Sequence, residues 1–409
     1  MTTRTSAPAL DLIRSPNFGA FWMAQVASRF GDPITLIALA YVSYAETQSA
    51  LVTAIAVVMV TVPNALFGFV GGAIADAIGH RRAMIWCDLS RVVLVGLVPI
   101  ALGVGLPLAI PYVLVFAAAS FGAIFNPARL ALVPRIVGPR ELSDANALTY
   151  SSDRAVEVLG ALAAGLLVAA IGTRAFYVDA LTFLLSAVLL TRVRVEEWRR
   201  PVVLQSLTRE AREGVRFLWR HSVLRANTIL SLGCQLSVPV VSSLAPSLIF
   251  QKYAGGDPQI GASQFGIAEG AIAAGAVASG VLIVPRLARF PKGKVLLAGF
   301  AIYGLFLIAL ALAPSFELAV VLFAILGVVN VIFYVPNVTL SQELTPADLR
   351  ARVFGARIAL LNLSWLPVIV LSGALADAVS IPLLIGVAGL VTLVGAAVGA
   401  FVPIVRDVP

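Results

Sequence analysis

The sequence predicts an all-α membrane protein with twelve transmembrane helices in two pseudo-symmetric six-helix bundles, and three observations carry that prediction. Hydrophobic residues make up 60% of the 409-residue chain and charged residues 12%, against roughly 25% charged in soluble domains. Apolar runs of about 20 residues, the length that crosses a bilayer as a helix, recur from end to end. The longest polar interruption, VRVEEWRRPVVLQSLTREAREGVRFLWRHSVLR at 193–225, divides those runs six and six.

In chain order the spans are expected near 18–45, 50–75, 83–104, 107–127, 145–170, 174–191, 223–250, 263–285, 294–313, 316–341, 352–376 and 380–403, each an apolar stretch bounded by charged or turn-forming residues. The domains follow as 1–192, an N-terminal half; 193–222, a linker; and 223–409, a C-terminal half. Within the linker, Leu204, Leu207, Ala211, Val215 and Leu218 recur at three- and four-residue spacing against Arg209, Arg212, Arg216 and Arg220. That pattern gives an amphipathic helix, expected along the inner membrane face, with a solvated charged linker as the competing reading.

The net charge is +8, and its placement decides what it means. With both termini cytoplasmic, the Lys and Arg residues crowd the inner face, except Arg29, Arg154, Arg174 and Lys252. This is the positive-inside pattern of a plasma (inner) membrane protein, so the basic balance is topogenic and no nucleic-acid partner is expected. The first 17 residues lack the apolar core of a cleavable signal, and the first helix is expected to act as an uncleaved anchor. Cys87 and Cys234 fall in separate predicted helices, and His80 and His221 at cytoplasmic edges. No disulfide framework, metal site or cofactor is expected, and no nucleophile–base constellation suggests an enzyme.

A half-chain repeat is visible locally. FNPARLALVPRIVGPREL at 125–142 follows the fourth span and FYVPNVTLSQELTPADLRARVFG at 333–355 the tenth, so that Pro127 answers Pro336, Pro139 answers Pro346 and Leu142 answers Leu349. Two halves holding substrate between them near the midplane is a known transporter plan. Gly68 and Gly72, then Gly266, Gly270, Ala274 and Ala278, then Gly395 and Gly399 follow the small-xxx-small spacing that lets helices approach closely.

Between the second and third spans stands GGAIADAIGHRR at 71–82, in which Gly72, Asp76, Gly79, Arg81 and Arg82 fit G-x-x-x-D-x-x-G-x-R-R. Gly79 permits a tight turn, and Asp76 can pair with arginine or meet a helix N-terminus. The stretch resembles the signature loop of the major facilitator superfamily. SPNFGAFWMAQVASRFGDPITLIAL at 15–39, LSDANAL at 142–148, FYVDALTFLLSA at 176–187 and LTREAREGVRFLWRHSVLR at 207–225 look like the branch holding macrolide-type and siderophore exporters. The resemblance implies the major facilitator fold and export driven by inward proton flow. It also implies that Asp76 docks against the start of the eleventh helix, near 351–355, as a gate latch. The family's arginine after that acid is Ala77 here, and the second-half loop GVLIVPRLARFPKGK has Val284 in place of the acid. Asp88 and Arg91, three apart in WCDLSR, are a further gate candidate.

Charged groups inside the bilayer are the sharpest functional pointers, since each costs roughly 2.5 to 3.5 kcal/mol at a helix centre. The first helix carries Arg29 and Asp32 followed by Pro33; Asp32 is the leading proton-carrier candidate, against a static Arg29–Asp32 pair. The fifth carries Asp153, Arg154 and Glu157 in SSDRAVEVLGALAAG, where the G-P-x-x-G-G run of superfamily antiporters is reduced to GALAAG. The membrane arginine that many such antiporters carry on the fourth helix is read as missing. Glu269 in FGIAEGAIAAG has no basic residue within one turn, and Asp179 is expected to serve as a structural hydrogen-bonding group. Proton coupling is assigned to Asp32, Arg29, Arg154, Glu157 and Glu269.

The fold implied by the resemblance lines its cavity with the first, fourth, seventh and tenth helices. That nominates Gln25, Phe125, Asn126, Gln235, Asn330, Phe333 and Tyr334, with Trp365 on the eleventh helix. Aromatics and amides with few charges suit a bulky amphipathic small molecule as substrate better than a sugar or a small anion. The expected activity is proton-coupled efflux of hydrophobic or amphipathic compounds by a monomer in the lipid bilayer. The alternatives are export of an endogenous siderophore or metabolite, and a lipid-handling membrane protein in which the linker helix matters most.

Overall fold

The computed structural model describes residues 9–138, 141–195, 204–287, 289–346 and 349–406. Among them the regular structure is helical, without a strand. The first six long helices are α1 (Pro16–Thr47), α2 (Ala50–Ile78), α3 (His80–Gly103), α4 (Ala109–Ile136), α5 (Leu142–Ile171) and α6 (Ala175–Thr191). The linker forms α7 (Leu204–Arg220), and after it come α8 (Ser222–Cys234), α9 (Ser237–Leu248), α10 (Pro258–Ala278), α11 (Lys292–Leu312), α12 (Phe316–Glu343), α13 (Arg350–Ala376) and α14 (Ile381–Ala400). Among the described residues nine helical stretches are long and apolar enough to cross a membrane. One of them, Leu142–Thr191, joins the fifth and sixth expected spans end to end, turning at Gly172, whose φ is 57°.

The chain divides into two compact units, one of Met1–Val42 and Met59–Val202, the other of Ser43–Val58 and Val203–Pro409. The α1–α2 turn and the linker helix therefore belong with the second unit. In the first unit α3 packs on α4 and α6. Its core gathers Phe18, Phe21, Met84, Leu132 and Leu190, all buried. Lipid is as apolar as these side chains, so cohesion rests on close packing more than on water exclusion. Gly71 shows this: a Cβ there would stand 2.5 Å from the Ala123 carbonyl oxygen, so α2 and α4 touch backbone to backbone. Gly79 separates α2 from α3 at φ 99°, a left-handed turn that a side chain would strain.

In the second unit α11 meets α14 through Gly304 and Gly389, each of whose added Cβ would fall 2.6 to 2.7 Å from the other's carbonyl oxygen. Gly275 of α10 meets the Ala324 carbonyl of α12 and Gly327 of α12 the Ile272 carbonyl of α10, both at 2.0 Å for an added Cβ. Gly395 faces Cys234 and Gly399 faces Leu297 and Leu230, while the Gly68 side of the small-residue pattern lies outside the described residues. At the other end of α13, Asp377 caps the first turn of α2: Oδ1 accepts the Ala50 N–H at 2.7 Å and Oδ2 the Ser49 hydroxyl at 2.6 Å.

On the apolar side of α7, Leu218 packs toward α13, where Leu218, Leu224 and Val353 form a small buried core. Gly214 is the reason for the fit, because a Cβ there would come within 2.2 Å of the Arg352 carbonyl oxygen. Glu213 then pairs with the Arg352 guanidinium at 2.7 Å. The side chains of Leu204, Leu207, Arg209 and Ala211 lie outside the described residues.

Candidate functional site

The polar residues of the first unit converge because helical spacing puts them on facing stripes. On α1, Gln25, Ser28, Arg29, Asp32 and Thr35 recur at intervals of three and four, so they share one side of the helix. Asp88 and Arg91 on α3, Arg129 on α4, Asp153 and Arg154 on α5, and Asp179 on α6 complete the set.

Two ionic clusters result. In one, Arg91 donates from Nη2 to Asp32 Oδ1 at 2.6 Å, and its Nη1 lies 3.9 Å from Asp88 Oδ1. Ser28 bridges that pair, accepting from Arg91 at 3.4 Å and donating to Asp88 at 3.4 Å. The guanidinium carbon sits 4.0 Å above the Phe183 ring, a cation–π contact that holds it flat. Asp179 stands beside them, fully buried, accepting hydrogen bonds from the Thr35 and Thr182 hydroxyls. Gly31 makes room for it, since a Cβ there would overlap the Asp179 carboxylate.

In the other, Arg129 donates to both oxygens of Asp153, at 2.9 and 3.2 Å, and Arg29 Nε approaches the same carboxylate at 3.7 Å. Gln25 adds a bond at 3.5 Å. Nearby on α5, Arg154 and Glu157 pair at 2.5 Å, one turn apart and each partly exposed.

These partners revise the sequence-based pairing. Arg29 and Asp32 do not bind each other; they diverge to Asp153 and Arg91, because the neighbouring helices present better-aimed partners than the next turn does. Asp88 and Arg91, the further gate candidates, lie inside this cluster, with Asp88 fully buried. The fourth helix does carry a buried arginine: Arg129, in the stretch read as cytoplasmic, is 6% exposed.

Two cavities of about 170 Å³ each adjoin the clusters. The first is lined by Arg29, Asp32, Thr35, Asn64, Arg91, Asn126, Asp179 and Phe183 among others. The second is lined by Arg29, Asp32, Pro33, Asp153, Arg154, Val156 and Glu157. Arg29 and Asp32 are common to both. The Asp32 side chain is 35% exposed while those of Asp88 and Asp179 are closed off, so Asp32 is the carboxylate of this cluster that water reaches.

The signature loop is arranged locally. Asp76 accepts from His80 Nε2 at 2.9 Å, one turn away, and Arg81 donates to the Leu190 and Thr191 carbonyls at 2.9 and 2.7 Å, tying the start of α3 to the end of α6. Arg82 also has a partner, and Gly72 faces Pro127 at ordinary contact distance.

The nominated cavity residues separate. Asn126 lines the first cavity, whereas Gln25 is fully buried and bonded to Asp153. Phe125 belongs to the core of the first unit rather than to a cavity wall. Phe333 is likewise core, 4.7 Å from the Phe300 ring and 5.4 Å from Tyr303. Gly299 of α11 leaves room for Phe333, whose Cβ would stand 2.9 Å from a Cβ added at that glycine. Gln235 is buried at the end of α8, Asn330 and Trp365 are half-buried, and Tyr334 is exposed. Glu269 is half-buried on α10 and is not without a partner.

The second unit holds a polar network that sequence reasoning missed. Arg357 of α13, 5% exposed, donates to Ser341 at 2.9 Å, to Ser231 at 3.2 Å and to Asn337. Asn227 donates to Asn337 at 2.7 Å, and Asn337 to Ser231 at 3.0 Å. Arg357 follows Arg350 and Arg352 in sequence, and that company disguised it as a topogenic charge.

Comparison with known proteins adds relatives. A family described as transmembrane secretion effector matches residues 7–407. The multidrug efflux pump Tap of Mycolicibacterium fortuitum is 27% identical over 397 residues, 94% of this chain and 95% of that pump. An uncharacterized MFS-type transporter, YvqJ of Bacillus subtilis, is 28% identical over 153 residues, 37% of this chain and 36% of that protein. Among solved structures, a peptide transporter POT in complex with sulfate superposes with a TM-score of 0.74 at 14% identity, covering 95% of this chain and 94% of that one. A bacterial homologue of the human lysosomal transporter Spinster, in an inward-facing and unoccupied conformation, superposes with a TM-score of 0.67 at 14% identity and 95% coverage of both chains. These structural likenesses concern the fold.

Proposed function

The chain belongs to the transmembrane secretion effector family of the major facilitator superfamily, and on that premise we propose that it is a proton-coupled exporter of hydrophobic or amphipathic compounds. It works by alternating access between its two halves, in the plasma (inner) membrane, with both termini cytoplasmic and as a monomer. The likeness to a multidrug efflux pump over nearly the full length supports the cargo class.

One observation carries the coupling. The first-unit clusters bring five carboxylates, Asp32, Asp88, Asp153, Glu157 and Asp179, to four guanidiniums, Arg29, Arg91, Arg129 and Arg154. A surplus negative charge is costly in a weakly solvated interior, and a bound proton removes it. Asp32 is the port for that proton, because it is the exposed member of its cluster and borders both cavities. Protonation of Asp32 weakens its hold on Arg91, and the guanidinium then has Asp88, 3.9 Å away, as its nearest remaining carboxylate. Proton entry is thereby converted into a shift between α1 and α3.

The test uses purified protein in liposomes with an imposed pH gradient, following accumulation of fluorescent amphiphiles for wild type and Asp32→Asn. Gradient-driven accumulation in the wild type that disappears in the variant is the expected result. Equal accumulation by both proteins removes Asp32 from the coupling role.

A further inference from the structure

We propose that the exposed face of α7 is a docking surface for anionic phospholipid headgroups of the cytoplasmic leaflet. The orientation rests on the function proposed above; the surface itself is read from α7.

Arg212, Arg216, Trp219 and Arg220 are all exposed. At 3.6 residues per turn they fall within an arc of about 100° on one side of the helix. The opposite side is already occupied, since Gly214 and Leu218 are sealed against α13. With Leu218 buried against its own protein, this turn of α7 does not lie in the membrane in the ordinary amphipathic way. What it still presents is a row of positive charge with an indole at its edge.

No described carboxylate lies within ion-pair distance of Arg212, Arg216 or Arg220, while Glu213 is engaged by Arg352. Three guanidiniums with no described acid in reach are complementary to a surface of phosphates, which they bind through paired N–H groups. Trp219 points the same way, because indoles favour the headgroup layer, where one edge is wet and the other apolar. A solvated linker helix needs the arginines but gains nothing from an exposed Trp beside them.

The contact has a mechanical consequence. The backbone of α7 meets that of α13 at Gly214 and Arg352, and the Glu213–Arg352 pair pins the same turn. Headgroups held by Arg212, Arg216 and Arg220 therefore act on the first turn of α13, through one layer of rigid backbone. Leaflet composition becomes an input to the helix that also carries Arg357.

The experiment places full-length protein in nanodiscs of phosphatidylcholine, alone or mixed with phosphatidylglycerol, and reads quenching of Trp219 by headgroup spin-labelled lipid. The Trp219 signal is the difference between wild type and Trp219→Phe. Labelled phosphatidylglycerol should quench far more strongly than labelled phosphatidylcholine, and salt should weaken the preference. In Arg212→Gln/Arg216→Gln/Arg220→Gln the preference should fall on the order of a hundredfold, near fivefold per arginine, with the melting temperature unchanged. Equal quenching by the two lipids, or a preference that survives the triple substitution, overturns the proposal. Labelling of Ser222→Cys by an impermeant maleimide, expected in inverted vesicles and not in intact cells, judges the orientation separately. Labelling from outside would overturn the cytoplasmic assignment whatever the quenching shows.

Discussion

Asp32 on α1 and Arg91 on α3 are joined by a 2.6 Å hydrogen bond, although Arg29 stands one helical turn from Asp32 on the same helix. The contact ties two helices together at the one acid of that cluster that water reaches. Its disruption is the most direct test of the site.

Arg91→Gln should abolish gradient-driven transport and destabilise the protein by about 3 to 5 kcal/mol, since it strands Asp88 and Asp179 without their cation. The double variant Asp88→Asn/Arg91→Gln should recover part of that stability without recovering transport. Thermal melting in detergent and liposome flux, run side by side, separate the two effects. A fully active Arg91→Gln protein would remove the cluster from the mechanism.

Asp153→Asn and Glu157→Gln should differ sharply. Asp153 neutralises the buried Arg129, and its loss should cost about 3 to 5 kcal/mol. The Arg154–Glu157 pair is partly exposed on both sides, so its loss should cost about 0 to 1 kcal/mol. Equal shifts in melting temperature would contradict this reading of their burial.

Asp377→Ala removes the acceptor of the Ala50 N–H and the Ser49 hydroxyl. Loss of such a cap should cost about 0.5 to 2 kcal/mol, and Asp377→Asn should restore part of it. A melting series of the three proteins provides the check.

Gly214→Leu should push α7 off α13, because even a Cβ would overlap the Arg352 carbonyl. The expected cost is about 1 to 3 kcal/mol. Limited proteolysis should then cut the 193–222 linker faster than in the wild type, while Gly233→Ala, where an added Cβ meets open space, should leave the cutting rate unchanged.

The helices themselves were legible because bilayer thickness imposes a length, and the chain meets it repeatedly with apolar runs. The turn at Gly79 was legible because a left-handed φ asks for glycine. The intramembrane acids were legible because a carboxylate within an apolar run is expensive and therefore conspicuous. Arg129 and Arg357 were not, since each sits near an end of its apolar run, where a buried cation and a topogenic one look the same in sequence.

What the sequence determined by itself was which residues share a face: the α1 stripe from Gln25 to Thr35, and the basic and apolar sides of α7. What only the tertiary structure decided was the partner each face meets: Arg91 rather than Arg29 for Asp32, Asp153 for Arg129, a neighbouring ring for Phe333, and α13 for Leu218 of α7. The physical reason is that a helix fixes the angle of a side chain about its own axis through a period of 3.6 residues. The neighbour at that angle depends on how closely other helices approach, and that is set by glycines and packed rings far away in the chain.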